Sequence, residues 1–289
     1  FVSFFCLSLN EISLISLLKN RNSLEQISVR SKDNKVKNLI KILRVYKNNF
    51  QTIILDKVVQ NGEIKFNLDL QLDKKGKVKD NLYIQGNIKK FEISYLGKVS
   101  KLNSEFDFIY KENNVIVSNA KINYEETTLI ADSIKISKNN NNLFLIEGNI
   151  KTNNAKFETN AISEKFSISS NYIKNKIINI DSNTDFSFNI NNKAKITNFV
   201  ATSKTKINNI KLLDKKIFKK LFKYEEDIEF INQVLNIEAN IKNFSIFKTA
   251  EISIGGSGKF LVDGVADDIN YSYKKDKNSK KINILIKLN

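Results

Sequence analysis

The chain has 289 residues, with 47 Lys and Arg against 31 Asp and Glu, one Cys, and no His, Pro, Met or Trp. Without His, the usual zinc sites, His-based triads and His general bases are excluded, and the lone Cys6 supports neither a disulfide framework nor a Cys-based metal site. The net charge of +16 raises nucleic acid or an anionic membrane surface as partner. However, Arg stands only at Arg21, Arg30 and Arg44, and the lysines are spread over polar positions of alternating segments. A solvated lysine face accounts for them, and no nucleic-acid partner is expected.

The length admits one large β domain or two average ones. No uninterrupted apolar run approaches the ~20 residues a bilayer span requires. The opening Phe1 to Leu9 is apolar, short, and without preceding basic residues or Met, and is read as a core strand of a longer protein rather than a signal segment. Asn10 to Leu18 fits a strand or a short helix equally, and Leu24 to Val29 a short strand. Ser31-Lys-Asp-Asn then offers an N-cap to a helix over Asp33 to Tyr46, with Val36, Leu39, Ile40, Leu43 and Tyr46 as its apolar stripe. This helix is expected to cap the sheet.

Thr52 to Val59 is expected to open a series of strands. In the run Glu63 to Leu72, apolar Ile64, Phe66, Leu68, Leu70 and Leu72 alternate strictly with polar residues, the period of a strand with one dry and one wet face. After a turn at Asp73 to Lys79, Leu82, Ile84, Gly86 and Ile88 share one parity, followed by Phe91, Ile93 and Tyr95. Ser104 to Tyr110 presents Phe106 and Phe108. In Asn114 to Tyr124 the parity changes between Val117 and Ala120, the mark of a bulge. Thr128 to Ile136, Leu143 to Ile150, Ala155 to Ala161, Phe166 to Tyr172, Ile177 to Ile180, Asp185 to Ile190 and Ala194 to Val200 continue the series between Asn- and Lys-rich turns. Asp214 is expected to cap a second helix in which Ile217, Leu221, Tyr224, Ile228, Ile231 and Leu235 recur every three or four residues, with five lysines in its first half. Strands return at Ile237 to Ile246, Glu251 to Ile254, Lys259 to Val262, Asn270 to Tyr273 and Ile282 to Leu288.

Leu82 to Ile93 and Leu235 to Ile246 match at most positions, and Phe144 to Lys151 keeps their Ile-x-Gly-Asn-Ile-Lys core. One unit used several times favours an extended architecture. Ile254-Gly-Gly-Ser-Gly-Lys-Phe260 falls short of a phosphate loop, with Ser253 where the first Gly belongs and Phe260 where the hydroxyl belongs. Asp263, Asp267 and Asp268 read as a turn rather than a metal site, and Glu125-Glu126 and Glu225 to Asp227 as surface. No acid, base and pocket converge, so neither enzyme activity nor a cofactor is expected.

The fold expected is mainly β: a long antiparallel meander curved into an elongated groove, with two short amphipathic capping helices. Three segments are expected, 1–60, 61–213 and 214–289. Two helices cannot cover the apolar face of so many strands. A face lined by Ile64, Phe66, Leu68, Leu70, Ile84, Ile88, Phe106 and Phe108 suits lipid, because at ~0.8 kcal/mol per CH₂ exposing one acyl chain costs on the order of 10 kcal/mol. The Gly-Asn-Ile-Lys strands, the stretch Leu55 to Ile64 and the segment Gly256 to Val265 resemble the AsmA-like superfamily of bacterial envelope proteins, in particular its large bridge-like lipid transport members, over Val36 to the end. That resemblance implies a periplasmic, Gram-negative protein, anchored in the inner membrane by a segment outside this chain. It would guide phospholipid between inner and outer membranes, with other envelope proteins as further partners. The alternative is a structural surface β-protein, adhesin or solenoid-like, without lipid transport.

Overall fold

The computed structural model describes residues 12–13, 26–46, 53, 56–57, 59–71, 82–95, 98–111, 114–124, 127–138, 143–159, 173–191, 195–212, 228–243, 250–262, 264–276 and 279–287. Their strands are β1 (Ile12–Ser13), β2 (Gln26–Ser31), β3 (Asn34–Lys35), β4 (Val59–Gln71), β5 (Tyr83–Tyr95), β6 (Lys98–Lys111), β7 (Asn114–Tyr124), β8 (Thr127–Lys138), β9 (Phe144–Glu158), β10 (Ile177–Ile190), β11 (Ile196–Leu212), β12 (Ile228–Asn243), β13 (Glu251–Val262), β14 (Val265–Lys275) and β15 (Lys280–Lys287). One helix, α1 (Val36–Tyr46), lies between β3 and β4. The strands form a single antiparallel sheet in which sequence neighbours are spatial neighbours from β4 to β15. The mainly β meander expected from the alternation is the fold. Among the described residues no helix is long and apolar enough to cross a membrane.

By compactness the chain divides into two units, residues 1–125 with 130–148, and residues 126–129 with 149–289. The first has its core under α1, where Val36 and Ile40 pack with Val59, Ile64 and Phe66. Helix and sheet approach closely because residue 62 is glycine: a Cβ there would stand 2.8 Å from Val36 Cγ2, and its φ of +152° suits no other residue well. The helix of the expected segment 1–60 therefore shares one core with β4. In the second unit Ile228, Phe260 and Ile269 are buried together, with Phe230, Val262, Tyr271 and Ile286 packed around them.

The strands are longer than the alternation suggests. Phe144 to Ile150 and Ala155 to Glu158 belong to one strand, β9, as Ile177 to Ile180 and Asp185 to Ile190 belong to β10, and Glu251 to Ile254 and Lys259 to Val262 to β13. β11 continues from Val200 to Leu212. The cause in β9 is a left-handed residue within the strand, Asn154 at φ 50°. Lys90, Asn119, Asn198 and Asn232 are alike in β5, β7, β11 and β12, at φ of 50–52°. Asn adopts this conformation more readily than other side chains, and a bulge formed there flips the parity without ending the strand. The bulge expected between Val117 and Ala120 is the one at Asn119.

Two helical expectations are corrected. Ile228, Ile231 and Leu235 lie in β12 and not in a helix. The bulge at Asn232 puts Ile228 and Phe230 on the side of Gln233, Leu235 and Ile237, and this shift imitates a spacing of three and four. Conversely Ile53, Asp56 and Lys57, in the stretch expected to open the strand series, are helical, and β4 begins at Val59. Ser31 caps nothing: its buried hydroxyl accepts the backbone N–H of Phe66 at 2.8 Å. Expectations for Phe1 to Leu9, for Phe166 to Tyr172 and for the start of the second helix fall outside the described residues.

Candidate functional site

In the first unit the register sets apolar residues side by side across four strands. Ile64 pairs with Ile88 and Ile88 with Phe106; Phe66 with Gly86, Gly86 with Phe108 and Phe108 with Val117; Leu68 with Ile84, Ile84 with Tyr110 and Tyr110 with Val115. These three rows form one face without Lys, Arg, Asp or Glu. Gly86 is required at its centre, since a Cβ would lie 2.4 Å from the Lys65 carbonyl oxygen and 2.8 Å from the Phe108 ring.

α1 covers only part of this face. Ile64 and Phe66 are 7% and 6% exposed, as core residues beneath the helix. Leu68, Ile84, Ile88, Phe106 and Phe108 are half-buried. Phe106 stands edge-on to Phe91, with ring centroids 5.6 Å apart. Leu70 pairs with Ile27 in the sheet, and its side chain is outside what is described. Seven of the expected lining residues thus share one sheet region, two of them buried and five half-buried, with Leu68, Ile84, Ile88 and Phe108 packed against the same core.

The reverse side of the same strands is mixed, with polar residues beside an apolar pair in which Ile109 faces Ile116. Lys65, Asn87, Asp107 and Ser118 succeed one another across it, and with Phe66, Asn67, Gln85, Gly86, Phe108 and Ile109 they line a shallow depression of about 360 Å³. Asn87 Nδ2 donates to one Asp107 oxygen at 2.8 Å, and Asn119 Nδ2 to the other at 2.9 Å. These amides, Asn119 foremost, hold the Asp107 carboxyl below its ordinary pKa. The repeated Gly-Asn-Ile-Lys motif has the same use in β9, where Asn149 Nδ2 donates to Asp185 on β10 at 2.7 Å. In both copies the Asn ties its strand to a carboxylate on the next.

The second unit carries a comparable face with a polar interruption. Phe186 stacks on Phe188 at 5.8 Å, and Phe188 lies 6.2 Å from Phe199. Between this group and the cluster around Phe260 runs a set of hydroxyls: Thr152 with Ser182 at 2.9 Å, Thr184 with Ser203 at 2.7 Å, and Ser203 with Thr205 at 3.0 Å. Because the hydroxyls bond one another, they tolerate an apolar setting at small cost. Sequence reading missed them, since Thr and Ser at inward positions look like ordinary strand formers; their steady parity with Ile178, Ile180 and Phe186 was the available signal.

The Gly-Gly-Ser-Gly-Lys stretch is continuous strand within β13 and makes no phosphate-binding loop. Its glycines clear space: a Cβ at Gly256 would meet the Tyr271 ring at 2.3 Å, and one at Gly258 the buried Gln233 amide at 2.2 Å. Asp268 accepts from Lys259 Nζ at 3.3 Å, beside the tight turn at Gly264. Among the described residues no cluster of metal-ligating side chains occurs. No family of proteins, no curated protein and no solved structure matches this chain.

Proposed function

We propose that this chain is a segment of a lipid transport protein that guides phospholipid along the half-open apolar face beside α1. The observation that carries the reading is the set of contiguous rows across β4 to β7, apolar throughout and only partly roofed by the helix. Three inter-strand spacings make that face roughly 14 Å wide, enough for acyl chains lying side by side. Burial at ~25 cal/mol per Å² supplies the attraction, and the absence of charged side chains there leaves no charge to desolvate. Ile64 and Phe66 act as the floor that holds the helix, and Leu68, Ile84, Ile88, Phe106 and Phe108 as the contact surface. Leu70 extends the same parity. The resemblance to the AsmA-like superfamily extends the proposal to a Gram-negative periplasm and to passive movement between inner and outer membranes, without a cofactor.

A solenoid-like adhesin would stack its strands in parallel, whereas the strands here pair antiparallel. The test is native mass spectrometry of the purified chain. Phospholipid is expected on the wild type, and at least several-fold less on Leu68→Asp/Ile84→Asp, with folding checked by circular dichroism. Equal lipid on a folded double variant would contradict the proposal.

A further inference from the structure

In the second unit an apolar strip lies between two sets of hydroxyls. Ser182 pairs with Thr205, Thr205 with Leu235, Leu235 with Gly256 and Gly256 with Tyr271. The neighbouring row starts at Thr184 and Ser203 and runs over Ile237 and Ile254. Directly opposed residues share a face of the sheet, as do alternate residues of one strand, so both rows lie on the same side. Neither row holds Lys, Arg, Asp or Glu.

Each end of the strip keeps a hydrogen-bond donor in hand. Thr184, Ser203 and Thr205 are linked by bonds of 2.7 and 3.0 Å, which use two of their three protons. Whichever way that chain is directed, one O–H remains for an acceptor outside it. The adjoining pair has no such surplus, because Thr152 donates to the Ile180 carbonyl and leaves Ser182 to donate to Thr152. At the other end Tyr271 lays its ring over Gly256, where a Cβ would stand 2.7 Å from the phenol oxygen. Edge-on contact with Phe230 holds the ring there. The phenol makes no hydrogen bond among the described residues, and burial pushes its pKa up, so it keeps its proton at neutral pH. Donors beside an apolar strip are costly until an acceptor meets them.

The spacing of the two donors says what kind of acceptor fits. Two inter-strand spacings, roughly 10 Å, separate the hydroxyls of β11 from the phenol oxygen above Gly256. Two hydrogen bonds of about 2.8 Å each take up more than half of that span and leave roughly 4 Å between the acceptor atoms of one ligand. Ester carbonyls on adjacent carbons of a glycerol match this separation, and their acyl chains would extend over Leu235, Ile237 and Ile254. A phosphate fits less well, since the rows offer it no cation.

We propose that this strip holds the diester region of a lipid, one ester carbonyl accepting from the Thr184, Ser203 and Thr205 chain and the other from Tyr271. The inference rests on the lipid reading above for the nature of the ligand, and adds to it a site that selects the linkage.

The experiment offers the full chain an equimolar mixture of dipalmitoyl phosphatidylcholine and its dihexadecyl ether analogue, alike in headgroup and chain length, and reads the bound lipid by native mass spectrometry. An ether oxygen is the weaker acceptor, so the wild type is expected to retain the ester lipid at least about threefold over the ether. Tyr271→Phe and Ser203→Ala/Thr205→Val should each bring the ratio toward one, with folding verified by circular dichroism. Tyr271→Phe removes a hydroxyl that bonds nothing in the described residues, so it decides alone if the other variant does not fold. Leu68→Asp/Ile84→Asp should lower total lipid and keep the ratio; a ratio lost there would place the selectivity in the first unit and overturn the inference. Equal retention of the two lipids by the wild type, or an unaltered ratio in folded Tyr271→Phe, would overturn it and leave the lipid reading standing. Retention of neither lipid would overturn both.

Discussion

Asp107 sits on the wet side of the sheet between two amides, and both of its oxygens are used. A carboxyl whose folded pKa lies below its unfolded value adds stability that is complete above the unfolded value and is lost as the pH falls through the folded one. The group is half-buried at the surface of the sheet, where solvent screening keeps the effect below ~1 kcal/mol. The difference in unfolding free energy between wild type and Asp107→Asn, followed by urea titration, is expected to narrow as the pH is lowered from neutral through the ordinary carboxylate range toward the lower folded pKa, as the carboxyl becomes protonated first in the unfolded and then in the folded state. A difference that stays constant would show that charge plays no part in this latch. Asn119 contributes in two ways, through its amide and through its left-handed backbone. Asn119→Gly, which keeps the backbone, should therefore cost about 0.5–1 kcal/mol, and Asn119→Ala roughly 1 kcal/mol more, because αL disfavours Ala.

At the scale of the element, α1 is the one helix with both ends described, and it is held by its apolar stripe. Ile40 is buried against β4, so Ile40→Ala is expected to cost about 2–4 kcal/mol and to speed amide exchange in β4 around Ile64 and Phe66. Lys41→Ala, on the exposed side, should stay within about 0.5 kcal/mol. Chemical denaturation of the two variants distinguishes a packed cap from a helix that merely lies on the surface. This helix was legible in the sequence because Val36, Leu39 and Ile40 repeat at its period with no competing pattern. The strands of the lining were legible for the same reason at period two, since Ile64, Phe66 and Leu68 alternate without a slip. What misled were the bulges. One Asn at positive φ within β9 looked like the end of a strand, and another, Asn232 in β12, turned a strand into the likeness of a helix. Asn is common in the turns as well, so nothing local marks which Asn interrupts and which merely flips parity. Pairing partners decide that, and they are distant in sequence.

For the molecule as a whole, each unit presents an apolar face, and the two differ in kind. That of the first unit is free of charge over the rows that start at Ile64, Phe66 and Leu68 and carries one buried hydroxyl beside them, Ser104, whereas that of the second is crossed by the bonded hydroxyls from Thr152 to Thr205. The lining expected from the sequence, Ile64 to Phe108, lies in the first unit, and the hydroxyls of the second lead to a prediction: acyl chains should associate with the first unit more strongly than with the β10–β11 region of the second. Gly86 is the tightest point of the first face. Gly86→Ala would push a methyl against the Lys65 carbonyl and the Phe108 ring, and is expected to destabilise by about 1–3 kcal/mol in thermal unfolding. The central claim, that the half-open side of β4 to β7 meets lipid and the polar side does not, is tested most directly by a photo-activated cross-linking residue placed in turn at Leu68, at Phe108 and at Lys65. Phospholipid adducts are expected at Leu68 and Phe108 and not at Lys65; equal labelling at all three positions, or labelling at Lys65 alone, would contradict it.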